Sequence, residues 1–274
     1  MKIGFIDYYL DEWHANRYPS RIKEASGGEM EVVLAYGMID APDGRRTNAQ
    51  WCAEMGIRQA ESIEQVVEEC DALVVLSPDN CEMHEQLCQL PLRSGKPVYV
   101  DKTFAPDYPT ARRIFDIAEQ SGTPCYSTSA LRFAAEYQGI TDVKAISSWG
   151  PNSFETYAIH QLEPIMMLMQ ADPKRVMCMT GEKWYSMVIE FADGRTATLA
   201  GYEQGGPFMM NMATASGLKL VHVKSDFFAP FIEALVEFFK DPTKIVPHED
   251  TLRIMAVRGA GLEGLKAPGT WIEI

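Results

Sequence analysis

Residues 71–78, Asp-Ala-Leu-Val-Val-Leu-Ser-Pro, and residues 95–102, Gly-Lys-Pro-Val-Tyr-Val-Asp-Lys, decide the fold. Each is a short apolar run rich in β-branched residues and bounded by polar or turn-forming ones, which is how a strand of a parallel sheet reads. Outward from this pair, similar runs recur at Lys2–Ile6, Glu31–Tyr36 and Pro124–Ser127, with amphipathic stretches between them. That alternation predicts a parallel sheet with crossover helices. One crossover is explicit. Asp107 and Pro109 open it, Ala111, Ile114, Phe115 and Ala118 follow at helical spacing, and Gly122 supplies the C-cap. Another covers about residues 62–69, with Ile63, Val66 and Val67 on one side and carboxylates on the other.

Beyond residue 127 the pattern changes to longer strands joined by turns. Trp184–Phe191 and Arg195–Tyr202 flank a short turn ending in Gly194, and Phe208–Ala215 and Leu218–Val223 flank Ser216-Gly217, so both pairs predict hairpins. With Val143–Trp149 and Arg175–Met179 they make a mostly antiparallel open sheet. Helices over Phe228–Phe239 and about residues 251–260 cover one face. The expectation is an α/β chain of two domains: a Rossmann-like doubly wound domain over 1–127 and an α+β substrate and dimerisation domain over 128–274. An apolar sheet face left over predicts a homodimer or homotetramer.

Composition narrows the partners. The 274 residues carry a formal net charge of -13, with no Lys/Arg stripe to offset it, so phosphate backbones and anionic membranes are repelled. Neither nucleic acid nor membrane is expected as a partner. The six cysteines form no C-x-x-C pair and sit in apolar or helical contexts, as buried thiols of a reducing compartment do. No signal-like or spanning segment is present, and the expected location is cytoplasmic.

The segment from Cys70 to Gly122 resembles the amino-terminal domain of the glucose-fructose oxidoreductase / inositol dehydrogenase / rhizopine-catabolism (Gfo/Idh/MocA) family of NAD(P)-dependent dehydrogenases. The residues that carry the likeness are the strand at 71–78, His84 eleven residues before Gly95, and the Gly95–Lys102 stretch. Where the family has Glu-Lys-Pro this chain reads Asp101-Lys102-Thr103. Tyr157-Ala-Ile-His160-Gln-Leu-Glu163 resembles the family's Asp-x-x-x-His-x-x-Asp helix, and Phe227 to Leu262 resembles its closing helices. The resemblance implies an oxidoreductase acting on a sugar, cyclitol or related polyol, with NAD or NADP as cofactor. It implies Lys102, His160 and Glu163 as catalytic residues. It also implies Ile6, Asp7, Tyr8, Tyr9, Ser77, Pro78, His84 and Asp101 as the dinucleotide's surroundings.

The loop that should hold the dinucleotide departs from the pattern. Glycines are needed after the first strand because only they let the backbone reach the pyrophosphate and let the helix begin close to the strand. Laid over G-x-G-x-x-G, the glycine positions become Asp7, Tyr9 and Glu12, with Asp11 adding a third carboxylate. At an effective dielectric of about 20, one such carboxylate about 4 Å from a phosphate charge costs about 4 kcal/mol, or roughly three decades of affinity. The second strand ends in Tyr36-Gly37, where an acid would hold the ribose. Arg45 and Arg46 follow that strand and either grip a 2′-phosphate or belong to a solvated loop.

Hydride transfer at an alcohol carbon needs a proton acceptor and a cation near the developing alkoxide, which Lys102 and His160 are placed to supply. Each has a plainer reading, as a strand-end lysine and a packed helix histidine. Thr156 replaces a family acid, and Pro164 either starts or kinks its helix. His84 also reads as packing. His14 lies beside Asp11 and Glu12, but the spacing matches no recognised metal site, and no metal is expected. A non-redox relative that kept the site and lost the dinucleotide is the alternative, because an acidic loop suits hydroxyl-rich or cationic ligands better than phosphates.

Overall fold

The computed structural model describes residues 1–274, and the chain divides into two compact units. The first comprises Met1–Thr128 and Phe231–His248, the second Ser129–Pro230 and Glu249–Ile274.

The first unit is built on six parallel strands: β1 Lys2–Asp7, β2 Glu31–Gly37, β3 Arg58–Gln59, β4 Ala72–Val75, β5 Val98–Val100 and β6 Cys125–Tyr126, in the order β3-β2-β1-β4-β5-β6. Between them lie α1 Trp13–Ala25, α2 Asn48–Met55, α3 Ile63–Glu69, α4 His84–Leu87 and α5 Tyr108–Ser121. β4 and β5 are wholly buried, which is why residues 72–75 and 98–100 include no carboxylate, imidazole, amine or guanidinium. Capping follows from local sequence. The Asp107 side chain accepts from Thr110 N at 2.8 Å, and Gly122 closes α5 at φ 63°. Strand order reverses between β1 and β4, so the crevice outside their carboxyl ends is where a doubly wound sheet takes its ligand. Asp7 and the residues after Val75 and Val100 stand at that edge.

The second unit holds a seven-stranded sheet. Its members are β7 Val143–Pro151, β8 Pro173–Gly181, β9 Trp184–Phe191, β10 Thr196–Tyr202, β11 Met209–Thr214, β12 Gly217–His222 and β13 Trp271–Glu273, ordered β12-β11-β7-β10-β9-β8-β13. Every pair is antiparallel except β7 with β10. The α/β class and the Rossmann-like and mostly antiparallel sheets are those the sequence predicts. α6 Phe154–Met169 lies on one face, its Gln161 joining Ser148 Oγ at 2.7 Å and the Ala200 carbonyl at 3.0 Å.

Two long helices, α7 Phe228–Lys240 and α8 His248–Lys266, precede β13. α8 runs well beyond the predicted 251–260, because its interior glycines, Gly259, Gly261 and Gly264, obscure the helical pattern. At Gly261 a Cβ would come within 2.4 Å of the Phe154 ring, so this glycine serves packing. Pro164 neither starts nor ends α6 but lies inside it. Lacking an N–H, it cannot donate to the carbonyl of His160 one turn earlier. No helix is long and apolar enough to cross a membrane.

Candidate functional site

The loop from Asp7 to Glu12 is folded onto itself. β1 continues the pairing with β2 past its end, Met38 N donating to Asp7 O at 3.0 Å and Ile39 N to Tyr8 O at 2.9 Å. Asn48, the first residue of α2, then clamps the loop: its Oδ1 accepts from Leu10 N at 3.1 Å, and its Nδ2 donates to Gly37 O at 3.0 Å and Ile39 O at 2.8 Å. A Cβ on Gly37 would lie 2.4 Å from that amide, so a larger residue at this place is sterically shut out.

Glu12 is the N-cap of α1. Its two side-chain oxygens accept from His14 N at 2.6 Å and from Ala15 N, the same first-turn amides that a phosphate would use. The seat for an anion at this helix start is therefore filled by the chain's own carboxyl group. Burial pushes Glu12 up to about 7. Burial and the neighbouring Glu12 likewise raise Asp7, which is sealed from solvent with Oδ2 lacking a hydrogen-bond partner.

The arginines that could have met a 2′-phosphate face this loop instead. Arg45 lies 4.8 Å from the Tyr9 ring centre and donates to Asp11 O at 3.0 Å. Arg46 binds Asp11 Oδ1 at 2.5 Å, Asn16 Oδ1 at 2.6 Å and Glu54 Oε2 at 2.8 Å. Its hydrogen bond holds the Asp11 carboxyl down at about 2. Of the three acids in the loop, Asp11 is the one paired with an arginine side chain, a partnership the sequence does not show.

Other predicted residues fall into two groups. Ile6 is core, fully buried in β1, and His84 is fully buried with Nδ1 2.9 Å from Phe104 O and Nε2 2.5 Å from Leu76 O. Neither can touch a ligand, because packing or main-chain carbonyls already occupy every contact atom. The remaining residues stand at the carboxyl edge of the sheet. Ser77 is buried at φ 85° with Oγ donating to Asn80 O at 3.0 Å, and half-buried Pro78 follows. Tyr8 is half-buried beside Tyr9. Asp101 is buried, and half-buried Lys102 follows through a cis peptide to Thr103. Although burial works against its charge, Asp101 is held below the ordinary carboxylate range by His14 and Lys102.

The structure also pairs His14 Nδ1 with Asp101 Oδ2 across 87 residues, a partnership the sequence could not show. The only hint was a histidine at the start of the rewritten loop's helix.

In the second unit, Ser129 connects the predicted pair on α6. Its Oγ lies 2.7 Å from His160 Nδ1 and its N–H donates to Glu163 Oε2 at 3.1 Å. Glu163 Oε1 accepts from Arg132 at 2.9 Å, and Arg132 reaches Asp250 Oδ2 at 2.8 Å. Glu163 is almost sealed from solvent, with one oxygen engaged by Ser129 and the other by Arg132. His160 is half-buried, with Tyr157 and Phe208 edge-on to its ring.

Residues 32–129 match the model of the Gfo/Idh/MocA family, an oxidoreductase family with an NAD-binding Rossmann fold. No curated protein matches the chain in sequence. Among solved structures, the fold is similar to that of myo-inositol dehydrogenase from Lactobacillus casei in complex with NAD(H) and myo-inositol, at TM-score 0.83 and 12% identity, covering 100% of this chain and 96% of the other. Scyllo-inositol dehydrogenase from the same organism, with NAD(H) and scyllo-inositol, gives 0.79 at 15% identity, covering 99% and 98%. UDP-N-acetylglucosamine 3-dehydrogenase from Acidithiobacillus ferrooxidans gives 0.77 at 14%, covering 97% and 98%. Against this Gfo/Idh/MocA background the filled helix terminus stands out. A pyrophosphate at the start of α1 would have to displace Glu12 and lie beside Asp7, and the residues present do not fit it there.

Proposed function

We propose that this chain is an oxidoreductase acting on a sugar, cyclitol or related polyol. The observation that carries the reading is Lys102, a cation placed at the carboxyl edge of a sheet and within the residues that match an oxidoreductase family. Neighbours of the same fold carry inositols in their solved complexes, which supports a small polyhydroxylated substrate. On this reading Lys102 supplies the cation for developing negative charge on a substrate oxygen, and the family likeness assigns proton exchange to His160, whose Nδ1 lies beside Ser129 Oγ. NAD or NADP is the partner that the family likeness brings, and it is seated without phosphate contacts at the start of α1. The exposed sheet face of the second unit supports a homodimer or homotetramer.

The test is to titrate the protein with NADH and NADPH up to millimolar concentration, following fluorescence and heat, and then to assay NAD(P)H formation with inositols and aldoses. Binding and turnover are expected. Lys102→Met should then abolish turnover and leave binding largely intact, and unchanged turnover would remove Lys102 from the chemistry.

A second reading is favoured by Glu12 itself. A non-redox relative, a binding protein or a lyase-like enzyme, would keep the sheet edge and have no use for a dinucleotide. Silence with both cofactors in the wild type, together with binding in the Asp7→Gly, Tyr9→Gly, Glu12→Gly triple variant, selects it.

A further inference from the structure

His14 and Asp101 form a dyad that neither reading uses. Asp101 follows β5 and is fully buried, with its two oxygens held separately: Tyr99 Oη donates to Oδ1 at 3.1 Å, and His14 Nδ1 meets Oδ2. Its main-chain N–H is also fixed, donating to Val75 O at 2.9 Å. An ionised carboxylate only accepts, so His14 Nδ1 is the donor and the proton of the neutral ring sits on that nitrogen. The ring is stacked on Tyr18 at 5.1 Å and 18°, with Trp13 edge-on at 5.2 Å. Its plane and its tautomer are therefore both set. Nε2 is left with its lone pair and no protein hydrogen bond, on a side chain 12% exposed at the carboxyl edge of the sheet.

We propose that His14, positioned by Asp101, is an acid–base residue for a hydroxylated ligand bound at this edge of the first unit. In the step assigned to it, the O–H bond of the ligand breaks and a bond from Nε2 to that proton forms. The electron pair stays on the ligand oxygen, and the imidazolium is balanced by Asp101, which stays ionised. The charged and titratable groups around the dyad are Asp7 at the end of β1, Glu12 at the cap of α1, Lys102 after Asp101, Tyr18 on α1, Tyr99 on β5 and Tyr126 on β6. Two of the six, Asp7 and Glu12, are carboxylic acids that burial shifts upward, and Lys102 is the one base. The proposal rests on the polyol half of the preceding reading and is independent of its redox half.

The experiment uses the full chain labelled with 15N-histidine, whose five rings are resolved by long-range proton–nitrogen correlation at about pH 8, where an ordinary imidazole is neutral. His14→Asn assigns the signal. The wild type should show His14 with the proton on Nδ1 and a bare Nε2. Asp101→Asn should move the ring toward the other tautomer, and Asp101→Glu should restore the first. Myo-inositol, scyllo-inositol or glucose added to saturation should shift Nε2 of His14. A wild-type ring protonated on Nε2, an unaltered tautomer in Asp101→Asn, or no polyol effect at His14 overturns the proposal. Where polyol turnover is found, His14→Asn should lower kcat by about 100-fold or more with KM little changed. Turnover equal to wild type in that variant sinks the dyad and keeps the redox reading. A polyol shift at His14 with no NAD(P)H formed keeps the dyad and sinks the redox reading.

Discussion

At the scale of residues, Glu12 shows how one side chain changes what a helix start can hold. Burial pushes Glu12 up to about 7, so between the ordinary glutamate value and about 7 the folded chain keeps a proton that the unfolded chain has released. Folding stability supplied through this residue therefore falls as pH rises through that window. Glu12→Gln keeps one cap oxygen and loses the charge. It is expected to gain about 1–3 kcal/mol over wild type at about pH 8 and nothing at about pH 4, as calorimetric melting at the two values would show. An unchanged difference between the two pH values would mean that Glu12 stays ionised throughout. The acids of this loop were legible in the sequence, and so was their conflict with a phosphate. Their partners were not, because Arg46 meets Asp11, and Asp101 meets His14, only after two separate crossovers bring distant segments to one edge. The loop is also hard to change piecemeal. Removing Asp11 takes away one of the two carboxylates that Arg46 binds and the acceptor of its main-chain N–H, and replacing Asn48 leaves Leu10 N and two carbonyls without their partner, at about 1–3 kcal/mol for each buried group so orphaned.

At the scale of elements, α6 is held to the start of the second unit by charge as well as by packing. Arg132 lies between Glu163 and Asp250, bringing residues 31 and 118 positions away into one buried network. Arg132→Ala would leave Glu163 sealed from solvent without its cation, and is expected to destabilise the second unit by about 3–5 kcal/mol in denaturant unfolding. A loss under about 1 kcal/mol would show that water replaces the guanidinium. The strands and hairpins of this unit could be read from alternation and turn residues, since both properties are local. β13, α2 and the two-residue β3 could not, because each is too short or too polar to repeat a pattern and is fixed by the neighbour it joins. Met210 and Met212 point into the core, while the exposed apolar residues are Leu218 and Leu220 on the next strand.

At the scale of the molecule, those leucines share a sheet face with Trp149, Tyr202, Trp184 and Met179, all well exposed. A monomer rarely leaves so many large apolar side chains on one flat surface. Leu218→Lys with Leu220→Lys is expected to turn a self-associated protein into a monomer, with sedimentation equilibrium as the measure. A wild type that is already monomeric at micromolar concentration would refute that. The route of the chain also matters: it leaves the first unit at Thr128, returns to it for Phe231–His248, and leaves again. On that return Phe231 packs at 5.8 Å on Tyr18 and 5.6 Å on Tyr99, Phe238 at 4.8 Å on Tyr126, and His248 at 3.9 Å on Phe115. A fragment ending at Thr128 should bind the hydrophobic dye ANS and melt without cooperativity, and a sharp transition would contradict this. The ribosome makes such a fragment every time it translates this chain. The six-stranded sheet emerges first and waits for the 120 further residues up to His248, roughly ten seconds of synthesis, with an aromatic surface uncovered. A protein threaded in this way completes its first-made unit only when His248 has been added, and until then that aromatic surface is open to anything that binds nascent chains.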